Sequence, residues 1–196
     1  MNKFLNNCKQ FINPETKIVD HYIALSVTPA RKIAYGALLA SLATILQSAG
    51  MLGGIGLLVS ALSTLAILIG TVISLQLGFL SYLTALFLIA VIQPSELFAF
   101  PLTTGLLGLS MGFAFRYFKS GFLAAVFSGI SLTLGILFIL LIIKFPILGP
   151  AATSDVDFNL IMIILLFSIF YSWIWVKGFL SIVKKFSRIP GNRAFD

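Results

Sequence analysis

The sequence predicts an all-α integral membrane protein of six transmembrane helices, with both termini on the cytoplasmic side. Three observations predict it. Of the 196 residues, 59% are apolar and only 10% charged, and mean hydropathy is +1.08. A soluble domain carries roughly 25% charged residues, so this chain has too few polar groups to cover a soluble core. The apolar residues also fall into six runs, each approaching the ~20 residues that cross a bilayer's hydrocarbon core. Finally, the cations gather at the ends of alternate runs, as the positive-inside rule requires of cytoplasmic connections.

Taken in order, residues 1–30 are mixed and mildly basic. They form a cytoplasmic tail or, through Phe4, Leu5, Phe11 and Ile12 with Lys3 and Lys9, a short amphipathic segment on the membrane surface. No secretory signal is expected, because the first apolar run begins only near Ile33. The six-helix domain covers 31–185, with spans expected at about 33–49, 55–73, 77–92, 98–115, 121–145 and 158–180. A short uncharged break at Ser74, Leu75 and Gln76 separates the second from the third. Gln93-Pro94-Ser95-Glu96 closes the third, and Pro101 suits the opening turn of the fourth. The connection 146–157 holds two prolines and two acids, and a basic cytoplasmic tail occupies 186–196.

The first span is split by size rather than by polarity. At about 100° per residue, Tyr35, Leu38, Leu39, Leu42, Ile45 and Leu46 share one side. Gly36, Ala37, Ala40, Ser41, Ala43, Thr44, Gln47 and Ser48 share the other. In lipid, small residues let helix backbones approach closely. Gly36, Ala40 and Thr44 are therefore candidate partner-docking residues. The glycines that follow (Gly50, Gly53, Gly54, Gly56) make either a tight turn or a lid over a ligand.

Charge sets the orientation. Lys3, Lys9, Lys17, Arg31 and Lys32 precede span one, Arg116 and Lys119 follow span four, and Lys177, Lys184, Lys185, Arg188 and Arg193 flank the end of span six. Glu96, Asp155 and Asp157 occupy the other set of connections, with Lys144 alone against the trend. Six spans place every basic cluster in the cytoplasm; five or seven would force one basic end outside. The net charge of +7 thus reads as membrane orientation, not nucleic-acid binding.

Catalytic constellations are missing from the sequence: no HExxH, GxSxG or Walker A pattern occurs, and a single His and a single Cys cannot build a metal centre. No enzymatic activity, cofactor or metal is expected. The remaining candidates are polar or small residues within or beside the spans. Gln47, Gln93, Glu96, Lys144 and Asp155 are candidate ligand contacts by position: Glu96 is a solvated loop acid or meets a cationic group, and Lys144 snorkels to the headgroups, answers an anionic group, or pairs with Glu96 or Asp155. Gly108 and Gly112 form a GxxxG suited to helix packing, in a span that also holds Thr103 and Thr104. Tyr171, Trp173 and Trp175 read as interfacial anchors.

Six short spans, both termini inside, a basic lead and a small-residue face on span one resemble the substrate-binding S components of energy-coupling factor (ECF) transporters. Gly36-x3-Ala40 and Ala40-x3-Thr44 stand where that family carries its alanine-type coupling motif, though the strict AxxxA is not kept. The run LFAFPLTTGLLGLSMGFAFRYFK (97–119) is similar in texture to the YybS-like group of bacterial membrane proteins. The resemblance implies an S-component-like bundle in the cell membrane that binds a small micronutrient on its outer side. It also implies docking through span one on a coupling subunit driven by two separate ATPases. The other reading is a non-transporting membrane scaffold or regulatory protein. Membrane lipid is a partner under both, and nucleic acid under neither.

Overall fold

The computed structural model describes residues 29–118, 120–144 and 157–187. All regular elements among them are helical. Six helices are long and apolar enough to cross a membrane: Ala30–Leu52, Ile55–Ile73, Leu75–Ile92, Pro94–Tyr117, Gly121–Ile143 and Phe158–Val183. These are spans one to six below, and they make the architecture of a multi-pass membrane protein. The expected tail or amphipathic segment, Lys119, Asp155 and the basic tail beyond residue 187 lie outside the described residues.

Span two is the central post. Of its membrane-length window 56% is buried, against 22% for span six. On one side Leu68 and Val72 join Leu107, Met111, Phe115, Leu132, Val176 and Phe179 in a core shared with spans four, five and six. On the other, Ala66 and Ile67 meet Ala40, Ala43, Ala85, Ile89 and Phe100 from spans one, three and four. The outer surface carries large apolar side chains such as Leu38, Ile45, Phe87, Leu134 and Phe170. A soluble monomer does not expose apolar surface on that scale; a bilayer covers it.

The connections are tighter than expected. Ser74, in extended conformation, is the sole residue between the second and third helices. Gly78 then packs directly on Thr71, which no larger residue permits. Arg116 Nη2 donates to the Val72 and Ile73 carbonyls, both at 3.2 Å, and so satisfies groups that the end of span two leaves unpaired. The glycines after span one form a turn. Residues Ala49–Leu52 continue as a 3₁₀ turn, and Gly53 (φ 61°) and Gly54 (φ 39°) reverse the chain through conformations that disfavour a side chain. Gly56 then packs on the Ala49 carbonyl. The turn leaves no free length to serve as a lid.

Span four is discontinuous. It opens with a 3₁₀ turn, Pro94–Glu96, and a four-residue helix, Ala99–Leu102. The helix breaks at Thr103 (φ −120°, ψ −92°) and restarts over Thr104–Tyr117. Thr103 ties the break down by donating both its backbone N–H (2.9 Å) and its hydroxyl (2.6 Å) to the Ala99 carbonyl. Past the break, Gly108 and Gly112 pack on span two. A Cβ at Gly108 would lie 2.7 Å from the Thr64 carbonyl, and one at Gly112 would enter Thr71.

The small face of span one is occupied by the chain itself. Ala40 and Thr44 are 0% and 1% exposed. The Thr44 hydroxyl donates to the Ala40 carbonyl at 2.9 Å and approaches the Ala85 carbonyl of span three at 3.5 Å. Gly36 receives the Ser81 hydroxyl of span three on its carbonyl at 3.2 Å. Of the expected docking residues, Ala40 and Thr44 are thus buried against the rest of the bundle, whereas Gly36 stays part-exposed beside Lys32 and Ala37. Close backbone approach is used here to seat span three, and Ala34, Ala37, Leu38 and Ser41 point outward instead.

Candidate ligand-binding site

Gln47 organises the end of the bundle at which span one closes. Its side chain is 3% exposed and lies among groups from three other segments. Oε1 accepts from the hydroxyls of Ser63 (span two, 2.8 Å) and Thr104 (span four, 2.9 Å). A hydroxyl can donate or accept, whereas the Glu96 carboxylate only accepts, so the NH₂ must turn toward Glu96 and leave the amide oxygen to the two hydroxyls. It does: Nε2 donates to Glu96 Oε2 at 3.0 Å. Glu96 is itself held by the 3₁₀ turn, in which its backbone N–H donates to the Gln93 carbonyl at 3.1 Å. Its other oxygen, Oε1, sits where Gly50 lacks a side chain; a Cβ there would come within 3.3 Å of it, and within 3.5 Å of Ser60 Oγ.

Below this network lies a cavity of about 490 Å³. Span one supplies Gln47, span two Leu57 and Ser60, and span five Leu132 and Ile136. Span six supplies Phe167 and Tyr171, and the discontinuous fourth span supplies the rest, including Ser95, Glu96, Thr103 and Thr104. The broken backbone of span four thus coincides with the cavity wall. Irregular backbone at membrane depth is tolerated only where protein buries it or where it lines such a cavity. In transporters, interrupted helices of this kind carry the substrate site. Phe167 and Tyr171 stack with ring centroids 5.8 Å apart and form a flat apolar wall.

The structure brings together only part of the expected ligand set. Gln47 and Glu96 meet directly. Gln93 is buried (6% exposed) at the end of span three, and its carbonyl positions the Glu96 turn, but it does not line the cavity. Lys144 is exposed and left-handed (φ 55°) after the π-helical turn Ile139–Ile143, and it too stays off the cavity wall. Tyr171, read as an interfacial anchor, sits at the middle of span six and faces the cavity. Sequence reasoning missed Ser60 and Ser63, although two hydroxyls three residues apart on span two mark one helix face.

Two further hollows lie between helices. One, about 280 Å³, runs beside Lys32, Gly36, Gln76, Ser81 and Thr84. The other, about 460 Å³, is shallow and almost wholly apolar between Phe79, Phe113 and Phe127. Neither gathers a hydrogen-bonded polar network like that around Gln47. Among the described residues, no three His, Cys, Asp or Glu side chains come together as metal ligands. Comparison with protein-family models, with curated proteins and with solved structures finds no match to this chain.

Proposed function

We propose that this chain is the membrane-embedded substrate-binding subunit of an importer of the energy-coupling factor type. It takes a small organic micronutrient from the outer side of the cell membrane. The single observation that carries this reading is the cavity beneath Gln47, walled by a discontinuous helix and closed at one end by the hydrogen-bonded network of Gln47. The basic connections favour cytoplasmic termini, and with six crossings the Gln47 end then faces outward. Such a subunit binds its substrate and leaves ATP hydrolysis to separate subunits, in keeping with a sequence that holds no Walker A pattern.

Docking on a coupling subunit through span one would use the side left free, around Ala34, Ala37 and Ser41. Co-expression with the coupling and ATPase subunits of an energy-coupling factor transporter tests the reading. The expected result is co-purification of all components, weakened by an Ala34→Leu/Ala37→Leu double variant that touches only the outward side. Absence of any association with the native chain refutes the importer assignment and favours a non-transporting scaffold. Unchanged association in the double variant refutes the role given to span one.

A further inference from the structure

Among the described residues, the cavity is charged on one side only: Glu96 is the single acid in its lining, and no Lys, Arg or His lines it. In sequence, the connections after spans one, three and five (49–54, 93–97 and 145–157) contain no Lys, Arg or His, and Lys144, which is exposed, does not line the cavity. Among the described residues, the Glu96 side chain accepts one hydrogen bond, from the neutral Gln47 amide. That amide cannot swing away to serve a ligand, because Ser63 and Thr104 hold its oxygen. The carboxylate is thus held in place, half-buried and, among the described residues, without a cationic partner.

We infer that the cavity selects a small organic cation, an ammonium-type nitrogen carried on a flat apolar body. The inference rests on the reading of this cavity as a ligand site and names the ligand class. An ammonium at Glu96 forms a charge-assisted hydrogen bond with the unused lone pairs of the carboxylate, in a setting with less water than the surface. The hydroxyls of Ser60 and Thr103, whose protons go to the Leu57 and Ala99 carbonyls, line the same cavity as further acceptors. The body of the ligand lies on Phe167 and Tyr171, whose π faces also attract positive charge. An anion of the same shape meets Glu96 with nothing to offset the repulsion, so the single acid discriminates as well as binds. Gln47 is a positioning residue: it orients the carboxylate.

Three indole compounds of matched shape separate the outcomes: tryptamine (cationic), indole-3-ethanol (neutral) and indole-3-acetate (anionic). Each is titrated against the full-length chain in phosphatidylglycerol nanodiscs, with the thermal midpoint as readout. Tryptamine is expected to bind at least about tenfold more tightly than the alcohol, and the acetate not at all. Glu96→Gln, which keeps shape and a contact to Gln47, is expected to abolish the preference for tryptamine, while Glu96→Asp retains part of it. Equal binding of tryptamine and the alcohol, unchanged in Glu96→Gln, overturns the cation assignment. It leaves the ligand site standing provided that Leu132→Trp, which fills the cavity, abolishes both. Failure of all three compounds, or binding unaffected by Leu132→Trp, overturns the site as well. Loss of the tryptamine response when phosphatidylethanolamine replaces phosphatidylglycerol assigns the ammonium site to a lipid headgroup and overturns the soluble ligand.

Discussion

Replacing Gln47 by Met is the most direct test of the network that closes the cavity. Methionine nearly conserves the volume and deletes all three side-chain hydrogen bonds, those from Ser63 (2.8 Å) and Thr104 (2.9 Å) and that to Glu96 (3.0 Å). At the ~0.6 kcal/mol typical of hydrogen bonds between membrane helices, the three are worth about 2 kcal/mol. The Ser63 hydroxyl is 0% exposed, and leaving a buried donor unpaired costs about 1–3 kcal/mol. A helical serine can recover part of that by turning to a carbonyl one turn back, which brings the expected loss to about 2–4 kcal/mol. Chemical unfolding in mixed micelles, followed by circular dichroism, measures it. Combined with Ser63→Ala, which removes the orphaned group, the loss should fall short of the sum of the single variants by about 1 kcal/mol. A Gln47→Met protein within about 0.5 kcal/mol of the native chain, or strict additivity with Ser63→Ala, refutes the claim that this amide holds the segments together.

Other substitutions probe the packing. Ala40→Leu should cost about 1–3 kcal/mol by overfilling the contact with span three, whereas Ala37→Leu on the outward side should change unfolding by less than about 0.5 kcal/mol. Gly112→Ala should be strongly destabilising because its methyl would enter Thr71, while Gly178→Ala, with open space around it, should stabilise span six by up to about 1 kcal/mol. Arg116→Leu should lower the unfolding midpoint by removing the donor to the Val72 and Ile73 carbonyls, a loss of about 1–3 kcal/mol, and hydrogen exchange should quicken at the turn between spans two and three.

How far the sequence could be read depends on which physical signal each feature leaves. The six spans were legible because a lipid-crossing helix must exclude charge along its whole length. Their ends were less so: span one reaches Ala30 and Leu52 rather than 33 and 49, since 3₁₀ turns and tolerated polar residues extend a helix without changing its hydropathy. Pro101 suited the opening turn of span four and gave no sign of a break. The break itself fell at Thr103, whose backbone is held by a local bond to Ala99 that hydropathy does not register. The size split of span one announced a close helix contact, but composition carries no information on whether the contacting helix belongs to the same chain. Gln47 and Glu96 stood out singly as polar residues at span ends. Their pairing, across 49 positions of sequence, needed the fold. Phe167 did not stand out and Tyr171 read as an interfacial anchor, because an aromatic facing a cavity and one facing lipid look alike in a run of apolar residues.

The network around Gln47 also sets an order in time. Its partners lie 16 positions onward at Ser63, 49 at Glu96 and 57 at Thr104. At a synthesis rate of about 5–20 residues per second, Ser63 follows Gln47 off the ribosome within ~1–3 s, and Thr104 only after ~3–11 s. The first hairpin can therefore satisfy half of the amide oxygen's capacity at once. The amide nitrogen waits for the fourth span, and its place near the end of span one lets it wait against water or headgroups rather than acyl chains. The cavity cannot exist before that arrival, so a nascent chain stalled ahead of Glu96 has the Gln47–Ser63 contact within reach but no cavity.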